Sequence, residues 1–161
     1  MRDSLRIRLA DEADAAVVDE LLTQFSNSLG DADLYQGSAE KLLTGGLGDD
    51  RYFSVLLAEI DDRSVGLVIF FPEFSTWRCA RGVYVQDLFV DPQWQGYGVG
   101  KELIRASVAR ASEQWAANYL KLSVGLANES ARNFYCHLGM TTDVDNDVMV
   151  LEDDYFEKLA R

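Results

Sequence analysis

Leu5, Ile7 and Leu9 alternate with polar residues, the period of a strand with one buried face. Asp11 then stands where a helix needs an N-cap, with Glu12 and Asp14 placing negative charge in the first turn. Val17, Val18, Leu21, Leu22 and Phe25 follow at helical spacing, and Gly30 ends the pattern. Residues 30–37 form a loop carrying Asp31 and Asp33, and Ser38 caps a short second helix that stops at Gly45-Gly46. Strands are expected over 52–60 and 64–71, joined by the polar turn Asp61-Asp62-Arg63. An irregular stretch at 74–80 precedes a strand over 83–90, which Asp91-Pro92 terminates. The pattern closes with a helix over 99–116, a strand over 119–126, a helix over 129–138 stopped by Gly139, and a last strand over 148–151. A meander followed by strand–helix–strand–helix–strand predicts a mixed α/β (α+β) sheet domain.

Nothing repeats at a fixed period and no linker-like tract divides the chain, so one domain over 1–161 is expected. With 161 residues and 48% apolar content, the chain has the means to bury a substantial core, which excludes disorder. The formal net charge of −12 lacks the basic footprint that a phosphate backbone requires, so no nucleic-acid partner is expected. The apolar run 65–71 is too short to span a bilayer, and Arg2, Asp3, Arg6 and Arg8 leave no signal-peptide core. Two cysteines, Cys79 and Cys136, make no disulfide framework. A cytoplasmic protein with no membrane partner is the expectation.

The most informative segment is Gln95-Gly96-Tyr97-Gly98-Val99-Gly100-Lys101, between a buried strand and an amphipathic helix. Glycines let the backbone approach a ligand and present consecutive N–H groups, and the helix N-terminus adds unpaired donors. A pyrophosphate suits that junction. A dinucleotide fingerprint starting at Gly96 needs glycine where Lys101 stands; a Walker loop needs glycine at Gln95 and Ser or Thr at Glu102. Both are excluded by register. The order Gln95-x-x-Gly98-x-Gly100 satisfies a Gln/Arg-x-x-Gly-x-Gly motif, and Asn128, Ala131 and Tyr135 satisfy Asn-x-x-Ala/Ser-x-x-x-Tyr/Phe ahead of Gly139-Met140.

On these two motifs, over nearly its whole length, the chain resembles the GNAT N-acetyltransferases. Within them it resembles the spermidine/spermine (diamine) and thialysine acetyltransferases, through Phe70-Phe71 to Trp77, Val85 to Val90, Asn128-Glu129-Ser130, Asn133-Phe134-Tyr135 and the tail Leu151 to Tyr155. The resemblance implies a central, mixed, mostly antiparallel twisted sheet flanked by helices. It also implies acetyl-CoA as cosubstrate, no metal, and a homodimer built through residues 148–151. The cofactor would lie along Leu88, Phe89 and Val90, on Gln95, Gly96, Tyr97, Gly98, Val99, Gly100 and Lys101, and against Asn128 and Ala131. The family usually carries Glu-Asp where this chain has Gln86-Asp87, so one carboxylate is an amide here.

The implied reaction is direct attack on the thioester, in a ternary complex, by the primary amine of a small cationic substrate such as a diamine, polyamine or lysine-like compound. An alkyl amine with a pKa near ~10.4 must first lose a proton. Asp87 is the candidate to accept it, directly or through water, or to hold the ammonium; its alternative is a carboxylate satisfied by backbone donors. In a regular strand Gln86 faces away from Asp87, so both line one site only if a bulge intervenes, which the resemblance implies. Backbone N–H groups near Phe89 would stabilise an oxyanion, and Tyr135 would protonate the departing thiolate; a core aromatic is its alternative. Asn128 would cap the last helix, contact the cofactor, or both. Asp31 and Asp33, with Glu40, would hold a distal ammonium or form a solvated loop.

His137 has no Cys or carboxylate at ligand spacing, Cys136 reads as a buried small hydrophobe, and Trp77 and Trp94 shape the site mouth or merely pack. Specificity is assigned to the first helices and the 74–80 stretch. Three other functions stay open at this point: protein or peptide acetylation, a non-catalytic acetyl-CoA-binding regulatory module, and a toxin acting on aminoacyl-tRNA. The last calls for a basic surface, which the chain lacks.

Overall fold

The computed structural model describes residues 5–143. The chain forms two compact units, Met1–Ser123 and Val124–Arg161. In the first, the strands β1 (Arg6–Leu9), β2 (Ser54–Ile60), β3 (Arg63–Ser75), β4 (Ala80–Val90) and β5 (Leu120–Leu122) build one sheet in the order β1-β2-β3-β4-β5. The first four run antiparallel; β5 is parallel to β4 and is reached through helix α3 (Val99–Trp115). This is the expected mixed, mostly antiparallel sheet flanked by helices.

Asp11 caps as expected, reciprocally with Asp14. Its side chain accepts from the Ala13 N–H at 2.8 Å, and Asp14 Oδ2 accepts from the Asp11 N–H at 2.9 Å. A single 3-10 turn follows, and helix α1 (Ala15–Leu29) runs to Gly30, whose φ of 78° supplies the left-handed C-cap. Ser38 caps α2 (Ala39–Leu42), which continues as a π-type turn over Leu43–Leu47, and the backbone leaves helical geometry at Gly46, with φ 164° and ψ −10°, at the expected Gly45-Gly46 stop. Val18, Leu21 and Leu22 of α1 pack on Val55, Leu57, Leu67, Ile69 and Phe89 of the sheet. Side chains of this size contribute roughly 1.5–3 kcal/mol each on full burial, so this layer carries much of the stability. On the other face, α3 buries Leu103, Ile104 and Ala111, and Trp115 stacks on Phe70 at 6.4 Å.

Asp61 and Asp62 both take positive φ, 50° and 60°, the twist that suits a two-residue hairpin. Two expectations need correction. The 74–80 stretch is not irregular throughout: β3 runs through Pro72 to Ser75 opposite β4, and only 76–79 turn. The 119–126 strand shrinks to Leu120–Leu122, because it pairs only with Val83, Tyr84 and Val85 of β4.

Arg8 ties the first helical turn to the sheet. Its two terminal nitrogens donate to both oxygens of buried Asp14 at 2.7 Å, and its Nε donates to Glu59 at 2.7 Å. The Arg8 hydrogen bonds hold the Asp14 carboxyl below its ordinary value. That stability is present above the unfolded carboxylate value near ~3.9 and is lost as pH falls through the lower folded value. Asp14→Asn is therefore expected to cost roughly 3 kcal/mol at neutral pH, since it leaves a half-buried guanidinium short of its partner. Urea unfolding should show the gap to wild type narrowing below about pH 4.

In the second unit, Asn128 caps helix α4 (Glu129–His137), accepting from the Ala131 N–H at 3.0 Å. Gly139, with φ 91°, ends it, as expected. Cys136 is exposed, not buried as its helical setting suggested. The expected strand over 148–151, and the dimer edge assigned to it, lie outside the described residues.

Candidate active site

The register of β3 against β4 slips once. Phe70 pairs with Val85 and Ile69 pairs with Asp87, which leaves Gln86 as an extra residue on β4. A bulge of this kind brings two successive side chains to one face. Asp87 lies opposite Ile69, and Gln86 lines a cleft with that same Ile69. The two residues that a regular strand separates are thus neighbours on the face covered by α1. The cleft measures about 380 Å³ and is bounded by Tyr52, Phe53, Ile69, Phe71 and Gln86.

Asp87 is half-buried, and burial pushes its carboxyl above the ordinary carboxylate value. Among the described residues no ion pair to it is found, so nothing offsets the loss of water around its charge. A carboxyl in that state accepts a proton more readily than a surface aspartate, and an arriving cation would ionise it. Nearby, the Tyr35 hydroxyl donates to Asp19 Oδ1 at 2.8 Å. Burial, then that bond, then the charges of Asp19 and Asp87 keep the Tyr35 hydroxyl protonated far beyond the physiological range. Tyr35, Tyr52 and Phe53 were not singled out by the sequence. Their signal is long-range packing against β3, which no local pattern carries.

Past Val85, β4 has no pairing with β5, so among the described residues no strand lies on that side of its edge over Gln86, Asp87, Leu88, Phe89 and Val90. An extended chain with amide groups can dock on such an edge. The edge leads directly into the glycine loop. Asp91 anchors the loop: its N–H donates to Val65 O at 2.8 Å, its carboxylate accepts from the Gln93 N–H at 2.9 Å, and Arg63 lies 3.5 Å away. Gln95 Nε2 donates to Val90 O at 2.9 Å, and Trp94 packs edge-on against Tyr97 at 6.4 Å. Trp94 is thus a loop-packing residue.

Gly96 and Gly98 have φ of 81° and 87°, and a Cβ on either would meet nothing within 4 Å. The backbone conformation, not lack of room, calls for glycine there. Gly98 precedes α3 and offers no side chain to cap it, so no cap side chain takes the N–H groups of the first turn, which are donors of the kind an anion accepts from. That donor set fits a pyrophosphate.

Not every expected residue joins this site. Asp31 and Asp33 lie on an exposed 3-10 turn between α1 and α2, and Glu40 is exposed on α2. Trp77 is 99% exposed at the tip of the β3–β4 hairpin, and no residue of 74–80 lines the cleft. The cleft walls are Tyr52, Phe53, Ile69, Phe71 and Gln86 instead. In the second unit, Asn128 and Ala131 meet in the α4 cap, and Tyr135 packs edge-on against Phe134 at 5.2 Å. His137 Nδ1 lies 2.6 Å from Asn133 O. Among the described residues no group of three or more His, Cys, Asp or Glu is placed to hold a metal ion, and no helix is long and apolar enough to cross a membrane.

Known proteins bear on this geometry in two ways. Among solved structures, an aminoglycoside acetyltransferase from an uncultured soil sample, in complex with sisomicin, superposes with a TM-score of 0.78 at 21% identity, over 94% of this chain and 99% of its own. A ribosomal-protein-alanine N-acetyltransferase from Brucella melitensis does so with a TM-score of 0.75 at 23% identity, over 91% and 99%. At these identities they establish the fold. Among curated proteins, the thialysine N-epsilon-acetyltransferase of Mus musculus is 30% identical over 84% of both chains. The human spermidine/spermine N(1)-acetyltransferase-like protein 1 is 24% identical over 85% of this chain, which spans 20% of that longer protein. The sequence model of the acetyltransferase (GNAT) family matches residues 15–140. With that match across most of the described chain, the protein belongs to the GNAT family of acetyltransferases and is an acyltransferase.

Proposed function

We propose that the protein transfers an acetyl group from acetyl-CoA to the primary amine of a small cationic substrate, by direct attack in a ternary complex. The observation that carries this is the β4 bulge. It sets Gln86 and an aspartate of raised proton affinity beside a cleft, one short strand edge away from an anion-ready helix terminus. Thialysine, named as the substrate of the mouse relative, is an amine of this class, and the human relative is named for its likeness to a spermidine/spermine acetyltransferase.

In this account the α3 terminus and Gln95 to Lys101 hold the pyrophosphate, and the open edge at Leu88, Phe89 and Val90 receives the extended arm. The acyl group supplies the electrophilic carbon. Asp87 holds the ammonium and takes its proton, directly or through water. The Phe89 region of the backbone turns an N–H toward the developing oxyanion, and the Tyr135 hydroxyl gives a proton to the departing sulfur. Asn128 keeps the α4 terminus in place through its cap and still has its amide hydrogens for the cofactor arm.

A panel of primary amines, assayed for thiol release from acetyl-CoA, tests the proposal. Release that requires an amine supports it; amine-independent hydrolysis, or none, contradicts it. The phosphate loop has its own test. Gly98→Val forces a β-branched residue to φ 87°, at roughly 1–3 kcal/mol of strain that the loop relieves by moving. Acetyl-CoA affinity measured by calorimetry should fall at least about tenfold, with circular dichroism unchanged. Wild-type affinity would remove the loop from the cofactor site.

A further inference from the structure

The cleft beside the bulge offers a second positive charge no counter-charge among the described residues. Among the described residues its lining side chains are Tyr52, Phe53, Ile69 and Phe71, aromatic or aliphatic, and the uncharged amide of Gln86. We propose that this cleft takes the neutral arm of the acceptor, so that the substrate is an amine with one ammonium and an apolar, preferably aromatic, substituent rather than a diamine or polyamine. The inference rests on the acetyltransferase reading above and specifies its substrate class.

The charges divide as follows. Asp87 lies opposite Ile69 and next to Gln86, so it stands at the cleft and provides one carboxylate for one ammonium. Its raised proton affinity is relieved when that cation arrives. Among the described residues no carboxylate lines the cleft itself. Asp31, Asp33 and Glu40 sit on exposed segments and are not among the lining residues. A distal ammonium would therefore lie against apolar walls, in part still hydrated at the open mouth, with no counter-charge among the described residues, and contact with ring faces replaces such a partner only in part. The net charge of −12 raises the local concentration of any cation and does not discriminate between one charge and two.

Shape points the same way. A cleft of about 380 Å³ sits at the small end of the usual range for ligand pockets, which suits one ring or a short alkyl chain. Phe71 is itself stacked on Tyr84 at 5.1 Å, so its ring is held as a fixed wall. Tyr52 is 76% exposed at the cleft, so its ring is accessible to an incoming ring. Gln86, exposed at the bulge, has an amide for one neutral polar group, such as a hydroxyl, on the arm. A glutamate at that position would instead give the cleft the second negative charge that a diamine needs.

The test compares hexylamine with pentane-1,5-diamine, two chains of equal length that differ by a terminal methyl against a terminal ammonium, and adds 2-phenylethylamine. Thiol release gives kcat/KM for each, and calorimetry with each amine gives binding independent of turnover. Hexylamine and 2-phenylethylamine are expected to exceed the diamine by at least about tenfold in kcat/KM. Gln86→Glu should close or invert that gap. Phe71→Ala should raise the KM for 2-phenylethylamine while sparing ethylamine, which does not reach the wall. Should Phe71→Ala misfold, the exposed Gln86→Glu variant still decides. A wild-type preference for the diamine, or equal use of both chains, overturns the inference and leaves the acetyltransferase reading standing. If no amine binds or releases thiol, both fall together.

Discussion

Asp87→Asn is expected to give a protein that acetylates amines roughly 10²–10⁴-fold more slowly and is at least as stable as the wild type. The rate loss is that of a positioned proton acceptor, about 3–5 kcal/mol of barrier. The stability gain has a separate origin. Burial holds the Asp87 carboxyl above its unfolded value, so its contribution to stability is complete below about pH 3.9 and is lost as pH rises through the folded value. At neutral pH the ionised wild-type group is the destabilised one, and asparagine removes the charge while keeping the shape. The unfolding midpoint of the variant should therefore equal or exceed that of the wild type, by a margin that grows with pH. The rate defect should shrink toward pH 9–10, where more of the amine is already neutral near its own pKa of ~10.4. A variant that is both less stable and fully active would make Asp87 a structural carboxylate.

Tyr135→Phe is expected to lower turnover roughly 10²–10⁴-fold with acetyl-CoA affinity nearly unchanged. The ring that packs edge-on against Phe134 is retained, and the helix-ending bonds to the Tyr135 carbonyl, from Leu138 and Met140, are backbone bonds the substitution does not touch. Loss of kcat without loss of cofactor affinity marks an interaction made in the transition state. A thiol near ~8.5 leaves more easily as pH rises, so this defect too should diminish above that value. The acceptor must be the best amine of the panel, and chemistry must limit the rate. Wild-type turnover from about pH 6 to 9, across the titration of the thiol, would reduce Tyr135 to a packing residue.

Much of this architecture is local chemistry and was legible in the sequence for that reason. Asp11, Ser38 and Asn128 each cap the helix that follows, because a short oxygen-bearing side chain at that place has one main use. The Asp61-Asp62 turn and the glycine loop are equally local. What pairing decides was not legible. The expected strand ends at Phe71, yet β3 runs on through Pro72; beyond Phe70 it has no β2 partner, and a proline is tolerated on such an arm. The three-residue β5 ends where β4 stops pairing, which its own apolar pattern does not reveal. The bulge at Gln86 was expected from family resemblance; composition and spacing alone predict a regular strand. The cleft joins residues from before β2, from β3 and from β4, so only the folded sheet brings Tyr52, Phe53 and Phe71 to Gln86. Asp31 and Asp33, conspicuous in the sequence, lie on an exposed turn in the structure.

The central claim is transfer of an acetyl group to an amine nitrogen. It is tested most directly by incubating the protein with acetyl-CoA carrying an isotopically labelled acetyl group and the best amine of the panel, then identifying the products by mass spectrometry. The account predicts the label on the amine nitrogen, in amounts equal to the CoA released, and almost none with Asp87→Asn at neutral pH. Label recovered as free acetate, on a side chain of the protein itself, or not transferred at all would contradict it.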